Sequence, residues 1–194
     1  MQELIYYVAS TLDGFIAHED GSYDGFLWDE AYGAALSAAF PETIPAHCRD
    51  WEHTAADNKW FDTVLMGRKT YEAGLTLGVT NPYPTLKQYV FSRTMKESPD
   101  DAVMLVSEKE AEFVRNLKQG EGKAIWLCGG GALAGTLLAA GLIDKLIVKL
   151  NPVFFGGGIP MFAGEVKRAD LELTEQRPFD NGVVLLHYRL RSCD

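Results

Sequence analysis

Short apolar runs recur along the chain: LIYYVAS, TVLMG, QYVFS, AVMLVS, AIWLC and KLIVKLNPVFF. Each is bounded by turn or helix signals and reads as a strand. Between them TYEAGL, EKEAEFVRNLKQG and GALAGTLLAAG read as helices, the second ended by Gly120 and the third by Gly141, because glycine accepts the backbone that closes a helix. Strands alternating with helices predict a mostly parallel sheet covered by helices. Near the C-terminus the pattern changes. LELTEQRPF and VVLLHYRL flank Asp180-Asn181-Gly182, and Asn-Gly between two β-patterned runs predicts a hairpin. The expected class is therefore α/β, with about eight strands ending in an antiparallel pair. Residues 17–60 are the least regular. AHEDGSYDGFLWDE reads as a loop carrying aromatics and acids, and Pro41 and Pro45 interrupt whatever helix follows. A long loop in a compact domain suits a lid or binding loop.

The candidate chemistry lies where strands turn into helices. VLMGRKTYE runs from an apolar strand straight into Gly67, Arg68, Lys69 and Thr70, so backbone N–H groups and two cations aim at one point, where an anion is expected. IWLCGGGALAG does the same through Gly129, Gly130 and Gly131, followed by Ala132 and Leu133. Ser92 and Arg93 close a third strand. In a parallel sheet these turns share the C-terminal edge and can share one ligand. Gly129, Gly131 and Ala134 have G-x-G-x-x-A spacing, yet the motif comes late, and Leu150-Asn151-Pro152 stands where a ribose-binding acid would follow. A P-loop is excluded because Thr136 occupies the lysine position. The glycines alone also fit a plain tight turn. Three cations, Arg68, Lys69 and Arg93, exceed what a pyrophosphate needs and suggest the 2′-phosphate of NADP rather than NAD.

Composition narrows the partners. The 194 residues carry a formal charge of −9 with only 18 Lys and Arg, which argues against nucleic acid or an anionic membrane as a partner. One domain, residues 1–194, is expected. The N-terminus MQELIYYVAS has no basic region before an apolar run, and no membrane-spanning stretch follows, so a cytoplasmic protein is expected. Cys48, Cys128 and Cys193 are far apart and suggest reduced thiols. His47, Cys48 and His53 cluster without a fourth ligand at any familiar spacing, so no metal is expected.

Taken together and in order, ASTLDGFIA, VLMGRKTYE, VFSR, WLCGGGALAGTLL and DKLIVKLNPVFFGGGIPMF resemble the dihydrofolate reductase-like fold. The similarity is greatest to the C-terminal reductase domain of the riboflavin-biosynthesis deaminase-reductase, and it runs over nearly the whole chain. The resemblance implies NADPH bound across the sheet edge. Gly67, Arg68, Lys69 and Thr70 would hold the 2′-phosphate and pyrophosphate, Ser92 and Arg93 the adenosine phosphate end, and Gly129 to Leu133 the pyrophosphate and nicotinamide ribose. Ala9 and Ile16 would contact the nicotinamide. A cis peptide is implied at Gly129-Gly130 or Gly130-Gly131, and a homodimer is implied as well.

The sequence departs from its relatives mainly on the substrate side. Riboflavin-pathway reductases show K-x-A-x-S-x-D-G at the first strand, whereas this chain has Tyr7 in the lysine position of YVASTLDG. The zinc deaminase motif is missing. The acid of dihydrofolate reductases would fall near Trp51, between Asp50 and Glu52. The expected activity is transfer of hydride from NADPH to a small pterin- or pyrimidine-like heterocycle, or to an imine or carbonyl. The nearest named activity is 5-amino-6-(5-phosphoribosylamino)uracil reduction. A catalytically silent NADP-binding protein and a dihydrofolate reductase proper remain alternatives. Proton donors are sought on the long loop, where Asp24 and Trp28 are the catalytic candidates beside Asp29. Asp13, in the tight LDG turn, is expected to cap that turn through its side chain.

Overall fold

The computed structural model describes residues 1–50, 57–164, 166 and 168–191. Ten strands and four α-helices follow in the order β1 (Leu4–Thr11), β2 (Phe15–Ala17), α1 (Glu30–Ala39), β3 (Phe61–Gly67), α2 (Arg68–Thr76), β4 (Lys87–Phe91), β5 (Val103–Val106), α3 (Glu110–Leu117), β6 (Ala124–Gly129), α4 (Gly131–Ala139), β7 (Lys145–Asn151), β8 (Ile159–Pro160), β9 (Leu171–Pro178) and β10 (Val184–Leu190). Eight strands form one sheet in the order β5-β4-β3-β6-β1-β7-β10-β9. From β5 to β7 all pairings are parallel, and β10 runs antiparallel to β7 and β9. The predicted α/β class, strand number and terminal hairpin are all observed. None of the described helices is long and apolar enough to cross a membrane.

The apolar runs are continuous because the central strands are covered on both faces. Within β1, Leu4, Tyr6 and Val8 join Leu65, Leu127, Leu133 and Leu137 in one core. The alternate residues Ile5 and Tyr7 join Phe61, Val64, Met66, Trp126 and Ile147 in the other. A two-residue period thus feeds two separate cores from one strand.

Two features differ from the sequence expectation. The irregular stretch 17–60 contains α1, opened by Asp29, whose carboxylate accepts from the Tyr32 amide at 2.8 Å. Asp29 is therefore a helix N-cap, the ordinary use of aspartate before a helical run. The second is a small antiparallel pair, β2 with β8, which lays the segment after β7 beside the first turn of the chain.

Candidate active site at the sheet edge

Gly67 ends β3 and caps α2, while Gly130 follows β6 and caps α4. The two turns touch through their backbones. A Cβ on Gly67 would lie 3.3 Å from the Gly130 Cα, and one on Gly130 would lie 3.2 Å from the Gly67 Cα. Gly130 has φ +102°, a conformation that side chains with a Cβ rarely adopt. All described peptide bonds are trans, so the cis bond implied at Gly129-Gly130 or Gly130-Gly131 is not found; the positive φ at Gly130 makes the turn instead.

Two helix N-termini therefore open side by side, each with N–H groups that lack partners within the helix. Around them stand Arg68 and Lys69 in the first turn of α2 and Arg93 just after β4, all exposed. Arg68 is held by Glu72 at 3.2 Å across one helical turn. Lys69 and Arg93 have no ion-pair partner among the described residues. Thr70 packs its hydroxyl against Gly129. Ser92 is buried and accepts from the Met95 amide at 2.9 Å, so its hydroxyl shapes the turn that presents Arg93. The exposed Ala132 stands at the edge, whereas the Leu133 side chain belongs to the core and only its backbone faces the turn.

Ala9 lies at the same edge, paired in register with Lys149 of β7. Ile16, on β2, packs against the core that contains Leu133. Asp13 closes the first loop as expected: it accepts from the Thr11 hydroxyl and from the Gly156 amide at 2.8 Å and the Phe155 amide at 3.3 Å. The Thr11 hydroxyl is the main cause that holds the Asp13 carboxyl below its usual range. One carboxylate thereby clamps the LDG turn to the loop after β7.

The catalytic candidates lie on the long loop, which is tied to the end of β7 by the Leu27 amide donating to Asn151 Oδ1 at 3.0 Å. The Asp24 carboxylate is 86% exposed and lies 3.8 Å from His18, which stacks on Phe155. Trp28 is 71% exposed and lays its indole edge-on to Tyr32 and over Gly33. Its observed contact anchors α1 to the loop. Among the described residues, no hydrogen bond joins Asp24 or Trp28 to the glycine turns. Trp51, Glu52, His53 and Cys193 lie outside the described residues. Asp50 is exposed, whereas Glu42, earlier in this part of the chain, is fully buried and accepts from the Trp60 and Phe61 amides at the start of β3.

Sequence reasoning did not single out a second cluster on the Tyr7 face of the sheet. The Lys149 ammonium lies over the Tyr7 ring, 4.2 Å from its centroid. Burial lowers its pKa to about 8. On β6, burial pushes the Cys128 thiol up to about 11, and its sulfur lies 3.7 Å from the Tyr83 hydroxyl. Tyr83 packs edge-on against Trp126. The sequence signal was present but weak: KLIVKL reads simply as a strand, and its second lysine falls at the same C-terminal edge as the glycine turns.

The sheet and its flanking helices define a dihydrofolate reductase-like fold. Residues 2–185 match the RibD C-terminal domain family, and the chain belongs to it. An uncharacterized Bacillus subtilis protein, YwjB, is 32% identical over 187 residues, covering 96% of this chain and 97% of its own. Another from the same organism, YyaP, is 30% identical over 198 residues, covering 96% and 94%. Among solved structures, a protein from Shewanella sp. PV-4 superposes with a TM-score of 0.71 at 23% identity, covering 98% of this chain and 99% of that one. The dihydrofolate reductase of Enterococcus faecalis, complexed with NADP(H), superposes with a TM-score of 0.63 at 17% identity, covering 98% and 97%. The Thermotoga maritima deaminase/reductase gives 0.63 at 15% identity, and this chain spans 57% of it.

Proposed function

We propose that this protein is an NADPH-dependent reductase that reduces a small heterocyclic, imine or carbonyl acceptor. The observation that carries the reading is the backbone contact between the Gly67 and Gly130 turns, each opening a helix. Two adjacent helix N-termini flanked by Arg68, Lys69 and Arg93 suit a ligand with several phosphates. The NADP(H) held by the Enterococcus neighbour supports the same assignment. Bound NADPH would supply the hydride. The chain's own work is to orient it: Arg68, Lys69, Thr70 and Arg93 at the phosphates, the backbone of Gly129 to Leu133 along the pyrophosphate and ribose, and Ala9 and Ile16 against the nicotinamide.

Quenching of the tryptophans by NADPH and by NADH tests this reading. Saturable binding with at least about tenfold preference for NADPH is expected. Arg68→Ala and Arg93→Ala should each lower NADPH affinity about ten- to a hundredfold, since a hydrogen bond to a charged group contributes about 1.5–3 kcal/mol. NADH affinity should change less. Absence of saturable binding by either nucleotide would end the reductase assignment.

A homodimer is part of the proposal. Strand β9 is an edge strand exposed along its length, with Leu171 and Leu173 among its outward side chains, and such edges are ordinarily covered. Sedimentation should show a dimer that Leu171→Lys with Leu173→Lys converts to a monomer. A monomeric parent protein would remove this part.

A further inference from the structure

The departure at Tyr7 leaves the first strand without a cation, and the neighbouring strand supplies one. Lys149 is paired with Ala9 across the parallel β1–β7 ladder, so its side chain shares a face with Tyr7. Its ammonium sits over the Tyr7 ring at 4.2 Å. Among the described residues it has no ion-pair or hydrogen-bond partner, while most other cations buried this far are paired, as Lys118 is with Asp144 at 2.5 Å. Lys149 is half-buried near the C-terminal end of β7, so its ammonium is partly stripped of water. A partly desolvated charge without a counter-ion is costly unless something anionic completes it.

The surroundings do not neutralise it. Tyr7 comes from β1, Cys128 from β6, and Tyr83 from the loop before β4; all three are uncharged near neutral pH, because burial raises the pKa of each. From β10, Leu185 is the register partner of Lys149, and His187 lies two residues along, its pKa lowered by burial. Tyr32 and Glu42 act on Tyr7 from the far side. Glu42 is fully buried; one of its oxygens accepts from two backbone amides and the other has no hydrogen-bond partner, and it is not among the groups that act on Lys149.

We propose that Lys149 is the acceptor-recognising cation of this site, so that the acceptor carries a carboxylate or phosphate that docks against Lys149 and Tyr7. This rests on the reductase reading for the word acceptor, though not for the anion site itself. The cation has moved one strand over from where the sequence motif would place it. The acceptor's anionic group accordingly approaches from the β7 side of the nicotinamide contacts at Ala9.

Matched probe pairs test the proposal by calorimetry, with and without saturating NADP⁺: orotate against uracil, and uridine 5′-monophosphate against uridine. The first pair carries its charge on the ring, the second at the end of a ribose, so the pair that responds identifies the source of the anion. The charged member of at least one pair should bind about tenfold or more tightly than its neutral partner. Lys149→Met, close in volume, should bring the two within about threefold. In the parent protein the preference should persist at pH 7 and decline as pH rises through about 8, because the ammonium loses its proton there. An undiminished preference in Lys149→Met overturns the proposal, as does no preference in the parent protein or no binding of either anion at millimolar concentration. With NADP⁺ saturating, absence of a preference in the parent protein overturns the proposal even if the variant does not fold. The separate NADPH titration distinguishes the two readings. Lys149-dependent anion binding without NADPH binding would sink the reductase assignment and keep the anion site; the reverse outcome would do the opposite.

Discussion

Glu42→Ala is expected to lower the unfolding free energy by about 1–3 kcal/mol, because two amides lose their acceptor while a buried, unpartnered carboxylate oxygen is removed with it. Glu42 is 0% exposed, and one of its carboxylate oxygens accepts from the Trp60 amide at 2.5 Å and the Phe61 amide at 2.7 Å. These amides open β3, the strand that leads to the Gly67 turn. Truncation leaves two donors without an acceptor, and the Phe61 side, itself fully buried, has no water to replace it. An unsatisfied buried donor costs about 1–3 kcal/mol, and the Trp60 amide, nearer the surface, contributes less. Glu42→Gln keeps a carbonyl acceptor of the same reach and should lose less than half as much. Denaturant midpoints at constant slope provide the comparison, and in a chain of this size each kcal/mol moves Tm by about 2–4 °C. Equal losses in the two variants would show that the amides at the start of β3 do not depend on this carboxylate.

Much of the scaffold was legible because its rules are local. The continuous run LIYYVAS announces a strand buried on both faces, which β1 is, and Asp180-Asn181-Gly182 announces the β9–β10 hairpin. The α2 and α4 starts could be read from Gly67-Arg68 and Gly130-Gly131 because a helix opening directly from a glycine turn leaves its mark in adjacent residues. Helix α1 was missed for an equally physical reason. Its run is alanine-rich, Tyr32 is its only large buried side chain, and two prolines follow closely, so no strong apolar stripe identifies it. The N-cap Asp29 is the available signal, but beside Asp24 and Trp28 it is indistinguishable in sequence from a loop acid. Strands β2 and β8, three and two residues long, are too short to leave any period.

The site divides along the same line. The turns proposed to hold the cofactor, Gly67 to Thr70, Ser92-Arg93 and Gly129 to Leu133, are legible as turns because each is a contiguous sequence. The Lys149 cluster is not. Tyr7, Tyr83, Cys128 and Lys149 come from four separated segments, and only the register Ala9–Lys149 brings the cation beside Tyr7. Strand register between positions so far apart is set by packing rather than by local pattern. The first-strand motif alone therefore shows Tyr7 where a lysine is expected, while the fold sets Lys149 of β7 over that tyrosine.

The glycines of α4 permit a test that separates folding from binding. Gly131→Ala would place a Cβ 2.1 Å from the Pro160 carbonyl oxygen, and Gly135→Ala one 1.9 Å from the Ala163 carbonyl oxygen. Both contacts are with backbone, so the 160–163 segment must move away from the helix, and each substitution should cost about 1–3 kcal/mol of stability. Their effects on the nucleotide should differ. Gly131 is the first residue of α4, with its backbone in the turn that meets Gly67, whereas Gly135 lies a full turn deeper in the helix. Gly131→Ala should therefore weaken NADPH binding about tenfold beyond anything its lower stability explains, and Gly135→Ala should leave affinity within about threefold. Fluorescence titration well below each variant's Tm measures both. Equal weakening in the two would mean that the 160–163 segment, not the glycine turn, governs the nucleotide site. Unchanged stability in both would mean that the segment is not held against α4 as the backbone contacts require.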